Sequence, residues 1–436
     1  MATGIHNVVS VALAAALAQF ALPAVATDGY FSHGYGMKAK GMGGASIVST
    51  DDAFGGANNP ATMVFAGGRF DVGVDWFSPH RSASRSGSIG GAFDFSTDSG
   101  STNFYIPELA YNRLLSPDMS VGVTVYGNGG MNTNYPGGVA SCGQPGKPAN
   151  GLCGVGGLGV DLSQLMVAPT FSMKFAPTQS FGISPLLAYQ RFRATGLQAF
   201  DNAPGFPPLT SSPGSVTNNG YANSTGVGLR LGYYARLGAF SAGAAFATKT
   251  KMGKFDKYKG LFAGQGSFDI PEHYGVGIGF DPAPGWNLRL DGERIKYSGV
   301  ASVGNPSSNQ APLGADNGPG FGWKDVSVLR LGVQWTATPA MTLRAGYNHC
   351  DNPVQASDVT FNILAPGVVK DHYTLGATWS LPGNAEVTVA YMHAQRNSVT
   401  GASMFNSPAF VGPGNGGTET ISMYENSLGI AWGMRF

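Results

Sequence analysis

Strict alternation of apolar residues with small or polar residues recurs along the chain. In the stretch 70–76 the apolar positions are Phe70, Val72, Val74 and Trp76, and Asp or Gly lies between them. The same period of two appears in 119–125, 329–335, 341–347, 373–381 and 428–436. Because successive side chains of a strand point to opposite faces, this period predicts β-strands with one apolar face.

The connections between these strands alternate in length. Short turns are predicted near 116–118, 177–178, 237–238, 282–284, 338–339 and 382–383. Long loops rich in Gly, Ser, Asn and Pro are predicted near 80–102, 131–160, 196–221, 254–268, 300–322, 351–369 and 397–421. This order is typical of membrane barrels with short periplasmic turns and long external loops, and it predicts about fourteen strands. A soluble β-sandwich has no reason to sort its loops in this way.

Composition favours the same architecture. Charged residues make up only 12% of the chain, which has 66 glycines, and no run of about 20 apolar residues follows the first thirty. A chain so poor in charge enters lipid most readily as a closed barrel, in which every backbone group is paired. We therefore predict an all-β fold, a transmembrane antiparallel β-barrel of the bacterial outer membrane, whose last strand ends in the interfacial aromatic Phe436.

Three segments are predicted along the chain. The apolar stretch 8–24 and the small-residue motif Ala24-Val25-Ala26 are typical of a secretory signal peptide, here residues 1–26. Residues 27–68 lack alternation and are expected to form short helices and turns. A barrel of fourteen strands is too wide for its own side chains to fill, so this segment is a natural hatch, or plug. Residues 69–436 form the barrel.

The sequence offers no catalytic set. The seven histidines have no metal-ligand spacing, no nucleophile elbow is present, and the net charge of +1 gives no basis for binding nucleic acid. We expect no enzyme activity, no metal and no cofactor. Cys142 and Cys153 flank a Gly/Pro-rich stretch and are either a loop disulfide or two thiols; Cys350 has no evident partner.

Several motifs resemble those of the FadL/TodX family of outer-membrane transporters for long-chain fatty acids and other hydrophobic compounds. The resemblance extends over most of the chain after the signal peptide. It is carried by the hatch segment 29–45, the pair 51–52, the triplet Asn59-Pro60-Ala61, the stretches 163–170 and 254–262, and the segment 268–272.

The resemblance implies a fourteen-stranded barrel with an N-terminal hatch and passive uptake without an energy source. It also implies capture in an external hydrophobic groove, an internal site beside the N-terminus and a lateral opening at a kink in the third strand. Gly127, Asn128, Gly129 and Gly130 are the candidates for that kink, because consecutive glycines interrupt a ladder. The alternative is that these residues simply begin the following loop.

The external groove is assigned to Phe255, Tyr258, Leu261 and Phe262, which interleave with lysines. An apolar groove with a cationic rim suits a fatty acid, whose tail is desolvated while its carboxylate stays paired. The alternative is a solvated loop whose lysines contact lipopolysaccharide phosphates.

The internal site has five candidates. Arg330 and Arg344 lie on the polar faces of neighbouring strands, where each is free to pair with a ligand carboxylate or with an acidic residue of the plug or wall. The resemblance suggests that Phe31, Tyr35 and Met37 contact ligand, and packing against the inner wall is the alternative.

The leading functional hypothesis is passive uptake of long-chain fatty acids. Import of monoaromatic or alkane hydrocarbons is the alternative within the family, and a general porin or a structural or adhesive barrel is the alternative outside it. The expected partners are hydrophobic small molecules, lipopolysaccharide, phospholipid and the barrel-assembly machinery, and the barrel is expected to be a monomer.

Overall fold

The computed structural model describes residues 28–142, 148–201, 209–408 and 410–436. The predicted signal peptide, residues 1–26, lies outside this part. Fourteen long strands form the barrel, and two short strands, Phe95–Asp98 and Lys251–Met252, pair with β1 and β6 above it. The barrel strands are β1 Arg69–Ser88, β2 Phe104–Ser116, β3 Met119–Asn132, β4 Gly159–Ala176, β5 Gln179–Thr195, β6 Ala222–Leu237, β7 Phe240–Ala247, β8 His273–Phe280, β9 Trp286–Ile295, β10 Val326–Thr338, β11 Met341–Cys350, β12 Asp371–Leu381, β13 Ala385–Ala402 and β14 Gly416–Arg435.

Each strand pairs antiparallel with its neighbours in the chain, and β14 pairs with β1 to close the barrel. That last ladder runs from Arg69 opposite Arg435 to Ser88 opposite Gly416. This pairing leaves no free sheet edge where β14 meets β1. The predicted fold class, a closed fourteen-stranded barrel with helical segments at its N-terminus, is confirmed.

Helical segments are short throughout the described part. None of its helices is long and apolar enough to cross a membrane. The α-helical turns are α1 Met37–Lys40, α2 Met63–Ala66, α3 Ala263–Gly266, α4 Ala301–Gly304 and α5 Val359–Asn362. The 3-10 turns are Phe54–Gly56, Pro60–Thr62, Ile89–Gly91, Gln198–Phe200, Asp256–Tyr258, Tyr297–Gly299, Ala356–Asp358 and Met404–Asn406.

The outer wall carries the apolar face that the alternation predicts. Val72, Val74 and Trp76 are exposed on β1, whereas Asp71 and Asp75, which point to the opposite face, are buried in the lumen. Aromatic pairs lie on the outer surface near the short turns, for example Trp286 against Trp335 and Phe240 against Phe280. Girdles of aromatic rings lie at the boundary between lipid and water in outer-membrane barrels.

Two of the predicted long loops are shorter than expected. Residues 80–88 continue β1, and 397–402 and 416–421 belong to β13 and β14, so the loops are 89–103 and 403–415 apart from the short strand Phe95–Asp98. These extensions are rich in Ser, Thr and Arg, and they rise above the lipid belt as a three-stranded ladder. Without an apolar face the alternation disappears from the sequence, although the backbone pairing continues.

The hatch, residues 28–68, lies inside the barrel and touches the bare backbone of the wall. A Cβ added at Gly346 of β11 would lie 2.1 Å from the backbone nitrogen of Gly43. One added at Gly182 of β5 would lie 2.2 Å from the carbonyl carbon of Pro60. Glycine is therefore required at these positions, because any side chain would push the hatch away from the wall.

Polar contacts hold the hatch in register. The Asn59 side chain donates to the carbonyl of Ile47 at 2.8 Å and to that of Tyr233 in β6 at 2.9 Å, and it caps the Pro60–Thr62 turn. The Ala61 carbonyl accepts bonds from two serines of β4 and β5, Ser172 and Ser180. The Asn59-Pro60-Ala61 motif is thus a fastening point between the hatch and three neighbouring strands.

Buried ion pairs add to this fastening. Lys40 of α1 pairs with Asp75 at 2.6 Å, Lys38 pairs with Glu386 at 2.6 Å, and Asp51 pairs with Arg289 at 2.9 Å. Each joins the hatch to a different strand. Removing one partner of such a pair leaves an uncompensated buried charge, so these contacts oppose displacement of the hatch.

Candidate functional site

The barrel wall has a gap between β2 and β3. Pairing of these strands ends at Leu109 opposite Val125, although β2 continues along β1 back to Phe104 and β3 continues along β4 to Asn132. The β3–β4 ladder shifts register between Gly127 and Gly129, which leaves Asn128 as the extra residue of a bulge. The four residues predicted to kink the third strand therefore lie within β3, at a bulge beside the gap, and do not begin the loop.

The first residues of the hatch take the place of the missing strand pairing. Ser32 donates its backbone N–H to the carbonyl of Asn128 at 3.2 Å, and Gly130 donates to that of Tyr30 at 3.1 Å. A Cβ added at Gly129 would lie 1.8 Å from the carbonyl oxygen of Tyr30. The bulge and the hatch N-terminus thus form one structural unit at the inner face of the gap.

A cavity lies beside this unit, between the hatch and the wall formed by β6 to β10. It is lined by three of the predicted internal-site residues, Phe31, Tyr35 and Arg330. Tyr35 donates to the Asn128 carbonyl at 3.1 Å, so the cavity connects directly with the bulge. Met37 lies elsewhere, against β14, where a Cβ added at Gly429 would be 2.2 Å from its sulfur.

The two predicted arginines have protein partners. Arg330 pairs with Asp28 of the hatch at 2.7 Å and with Glu293 of β9. Arg344 lies outside the cavity lining and donates to Gln334 at 2.7 Å and to Thr378 at 2.6 Å. With two carboxylates around it, Arg330 carries no net positive charge to offer a ligand.

Arg230 of β6 is a cavity-lining residue that the sequence reasoning missed. Its guanidinium donates to the hatch carbonyls of Gly56, at 2.8 Å, and Ala57, and it contacts Nε2 of His273 at 2.9 Å. The side chain is buried, and within the described residues no carboxylate lies at salt-bridge distance from it. The signal was present in the sequence, since Arg230 alternates with Leu229 and Leu231 as Arg330 does with its neighbours.

A second, apolar cleft lies among the long loops. Leu261 and Phe262 of the predicted groove contribute to its wall, and Ser302 is the polar side chain in a lining that otherwise consists of apolar residues, Gly and Pro. The other large apolar residues of the lining are Leu152, Val160, Phe192, Leu197, Phe200, Leu313, Phe321, Phe361 and Leu364. Five separate parts of the chain therefore form this cleft. The sequence predicted only one of them, the segment that contains Leu261 and Phe262.

Phe255 and Tyr258, the other two predicted groove residues, are fully buried behind the cleft. Their rings pack on Phe192, with centroid distances of 5.6 Å and 4.9 Å, and the Tyr258 hydroxyl donates to the Gly220 carbonyl at 2.6 Å. They support the wall and do not line it. The neighbouring lysines are exposed, and Lys257 donates to the Tyr221 carbonyl at 2.9 Å.

Cys142 and Cys153 form a disulfide. It closes the loop between β3 and β4 directly beside Leu152, a cleft residue, and so restrains that part of the lining. Cys350 is buried in β11, with its sulfur 3.5 Å from the carbonyl oxygen of Val369.

Two adjacent carboxyl groups of the hatch have pKa values that are shifted in opposite directions. Burial and the neighbouring Asp71 raise the pKa of Asp52 to about 6. Burial also tends to raise the pKa of Asp51, but Arg289 and Lys38 outweigh it and hold that pKa below its usual range. The hatch therefore contains one firmly ionised carboxylate and one that titrates near neutral pH.

A family model described as outer membrane protein transport protein (OMPP1/FadL/TodX) matches residues 9–412. The fold is similar to the Pseudomonas putida toluene transporter TodX, with a TM-score of 0.69, 18% identity, and coverage of 93% of this chain and 99% of the other. A Pseudomonas aeruginosa FadL homologue gives a TM-score of 0.65 at 14% identity, covering 94% and 100%. The Ralstonia pickettii toluene transporter TbuX gives 0.61 at 16% identity, covering 93% and 99%. The comparison with curated protein sequences finds no match.

Proposed function

Since the chain belongs to the OMPP1/FadL/TodX family of outer-membrane transport proteins, which carry hydrophobic compounds, we propose that its substrates are long-chain fatty acids. Uptake is passive. The hydrocarbon tail is captured in the apolar cleft, the molecule moves to the internal cavity beside the hatch, and it leaves sideways through the gap between β2 and β3. Lipopolysaccharide, phospholipid and the barrel-assembly machinery are the proposed membrane partners.

One observation carries the choice of a fatty acid, namely the guanidinium of Arg230 in the cavity wall. Glu293 lies in the same cavity wall but not at salt-bridge distance from Arg230. A buried cation without a directly bound carboxylate is costly, and a ligand that brings its own carboxylate reduces that cost. Arg330, by contrast, is already paired with Asp28 and Glu293. The proposed head-group partner is therefore Arg230, while Phe31 and Tyr35 contact the tail.

The test replaces Arg230 with methionine, which keeps most of the side-chain length and removes the charge. Uptake is measured for oleate and for toluene in cells whose own uptake route has been deleted. We expect oleate uptake to fall about tenfold or more, because a charge-assisted hydrogen bond contributes about 1.5–3 kcal/mol. Toluene uptake should stay within about twofold.

Arg344→Met is the matched control, since this arginine is equally buried but lies outside the cavity. An equal loss of oleate and toluene uptake in Arg230→Met would contradict a head-group role. It would mean that the bonds from Arg230 to Gly56 and Ala57 serve only to hold the hatch in place.

Monoaromatic or alkane hydrocarbons are the second candidate substrates. The observation in their favour is the external cleft, whose lining contains no charged side chain in the described residues. TodX, with which the chain shares its fold, is a toluene transporter. Rapid toluene uptake that persists while oleate uptake is absent would favour this candidate.

A further inference from the structure

A second buried arginine lies at the rim of the gap. Arg81 projects inward from β1, where it follows Phe77 on the lumenal face. Its guanidinium donates to the backbone carbonyl of Asn132, the last residue of β3, and to that of Ser101, shortly before β2 begins. The side chain therefore reaches from β1 across the start of β2 to the end of β3.

Arg81 forms no ion pair with any described carboxylate, although the buried Glu425 of β14 attracts its charge from beyond salt-bridge distance. The side chain is 6% exposed, and within the described residues no carboxylate lies at salt-bridge distance. Its Nε is buried without a hydrogen-bond partner, although a guanidinium has five N–H groups to satisfy. The ring of Phe104, the first residue of β2, lies 5.8 Å from the guanidinium carbon.

A cavity adjoins this guanidinium. Its lining includes Arg81, Phe77, Met131 and Tyr30, so it lies between the hatch N-terminus and the unpaired end of β3. It is separate from the internal cavity that Arg230 lines, and the β3 bulge at Asn128 lies between Tyr126, which Arg230 contacts, and Met131 of this lining. A molecule leaving by the gap would pass between two cations, one on each side of the unpaired segment of β3.

We propose that Arg81 is an anion-binding residue of the exit, which receives the carboxylate of the ligand as its tail enters the gap. This inference rests on the proposed fatty-acid function. A carboxylate is a stronger acceptor for a guanidinium than a neutral carbonyl, and it can bind in a bidentate manner. Its arrival replaces the bonds to Asn132 and Ser101, which releases the end of β3 from β1 and widens the gap for the tail.

The experiment compares oleate with oleyl alcohol, which has the same tail but no charge. Uptake of both is measured for the wild type, Arg81→Met and Arg230→Met in cells whose own uptake route has been deleted. For Arg81→Met we expect oleate uptake to fall about tenfold, and oleyl alcohol uptake to stay the same or rise because the bonds across the gap are gone. Arg396→Met, an exposed arginine of β13 that donates to Ser422, is the control.

Three results would overturn the proposal for Arg81. Equal loss of oleate and oleyl alcohol would make the arginine only a fastening of the wall, and unchanged uptake of both would leave it no role in transport. Loss of co-purified phospholipid or lipopolysaccharide with unchanged oleate uptake would assign the site to a resident lipid phosphate.

The behaviour of Arg230→Met separates the two proposals. Selective loss of oleate in Arg230→Met but not in Arg81→Met refutes only the exit site. If the wild type and both variants take up oleate and oleyl alcohol equally well, the fatty-acid function and the exit site are both refuted.

Discussion

At the scale of single residues, two kinds of buried cation line the interior of this barrel. One kind is paired with a carboxylate, and the other is bound to backbone carbonyls. Arg330, Lys40 and Arg289 each lie within 3 Å of a carboxylate and fasten the hatch. Arg230 and Arg81 are bound to backbone carbonyls instead. Whether an arginine on the lumenal face is available to a ligand therefore depends on which carboxylates of the protein already pair with it.

Asp52 is a residue whose titration should be measurable. Its pKa of about 6 in the folded hatch exceeds the ordinary 3.8, so the folded state holds the proton more tightly than the unfolded state. The free energy of unfolding of the hatch therefore falls as pH rises from about 4 to 6. Above pH 6 it is about 3 kcal/mol lower than below pH 4.

Asp52→Asn should remove this penalty at pH 7. The amide oxygen can still accept the bond that Oδ1 receives from the Phe54 N–H at 3.0 Å. We expect stronger hydrogen-exchange protection of residues 51–57 in the variant than in the wild type at pH 7, and a smaller difference at pH 4. A variant less protected than the wild type at pH 7 would contradict this account.

At the scale of elements, the alternation in β1 predicted a strand only from Phe70 to Trp76, where the outer face of the strand is apolar because it faces lipid. It could not predict the continuation through Ser82, Ser84 and Ser86, because pairing above the membrane needs no apolar face. The sequence could not show which lining charges are already paired. Asp28 and Glu293 are the partners of Arg330, and only the closed barrel brings these distant residues together.

The contact between the β3 bulge and the hatch is the element most open to test. A single methyl group at Gly129 would lie 1.8 Å from the Tyr30 carbonyl oxygen, and neither can rotate away, because the backbone fixes the position of both atoms. We expect Gly129→Ala to displace residues 30–32 from β3, which would show as proteolysis of the hatch N-terminus and as reduced uptake.

Gly292→Ala is the matched control for that variant. It lies within β9, and a Cβ there would meet nothing within 4 Å. Both variants should still show the heat-modifiable gel mobility of an assembled barrel. Normal uptake and intact hatch termini in Gly129→Ala would mean that the bulge tolerates movement, and the proposed exit would lose its structural basis.

At the scale of the whole molecule, the hatch decides which way a ligand can travel. It contacts the wall backbone at Gly346 and Gly182 and is joined to it by buried ion pairs, so the lumen offers no straight aqueous path. The interrupted pairing of β2 with β3 is the place that we propose as the opening from the interior cavity to lipid. That direction spares a hydrophobic molecule the cost of exposing its tail to water, because the tail passes directly from the protein interior into lipid.

This arrangement predicts that the protein excludes hydrophilic solutes. In liposomes loaded with purified protein, small sugars should cause no swelling, because displacing the hatch would take from the wall carboxylates Asp75 and Asp291 the Lys40 ammonium and the Ser46 and Ile47 N–H groups that they bind. Deletion of residues 28–67 should instead give rapid swelling, since an unfilled barrel of fourteen strands encloses an aqueous channel. Swelling by the intact protein would support the general porin, whereas exclusion of sugars together with uptake of oleate requires a route through the wall.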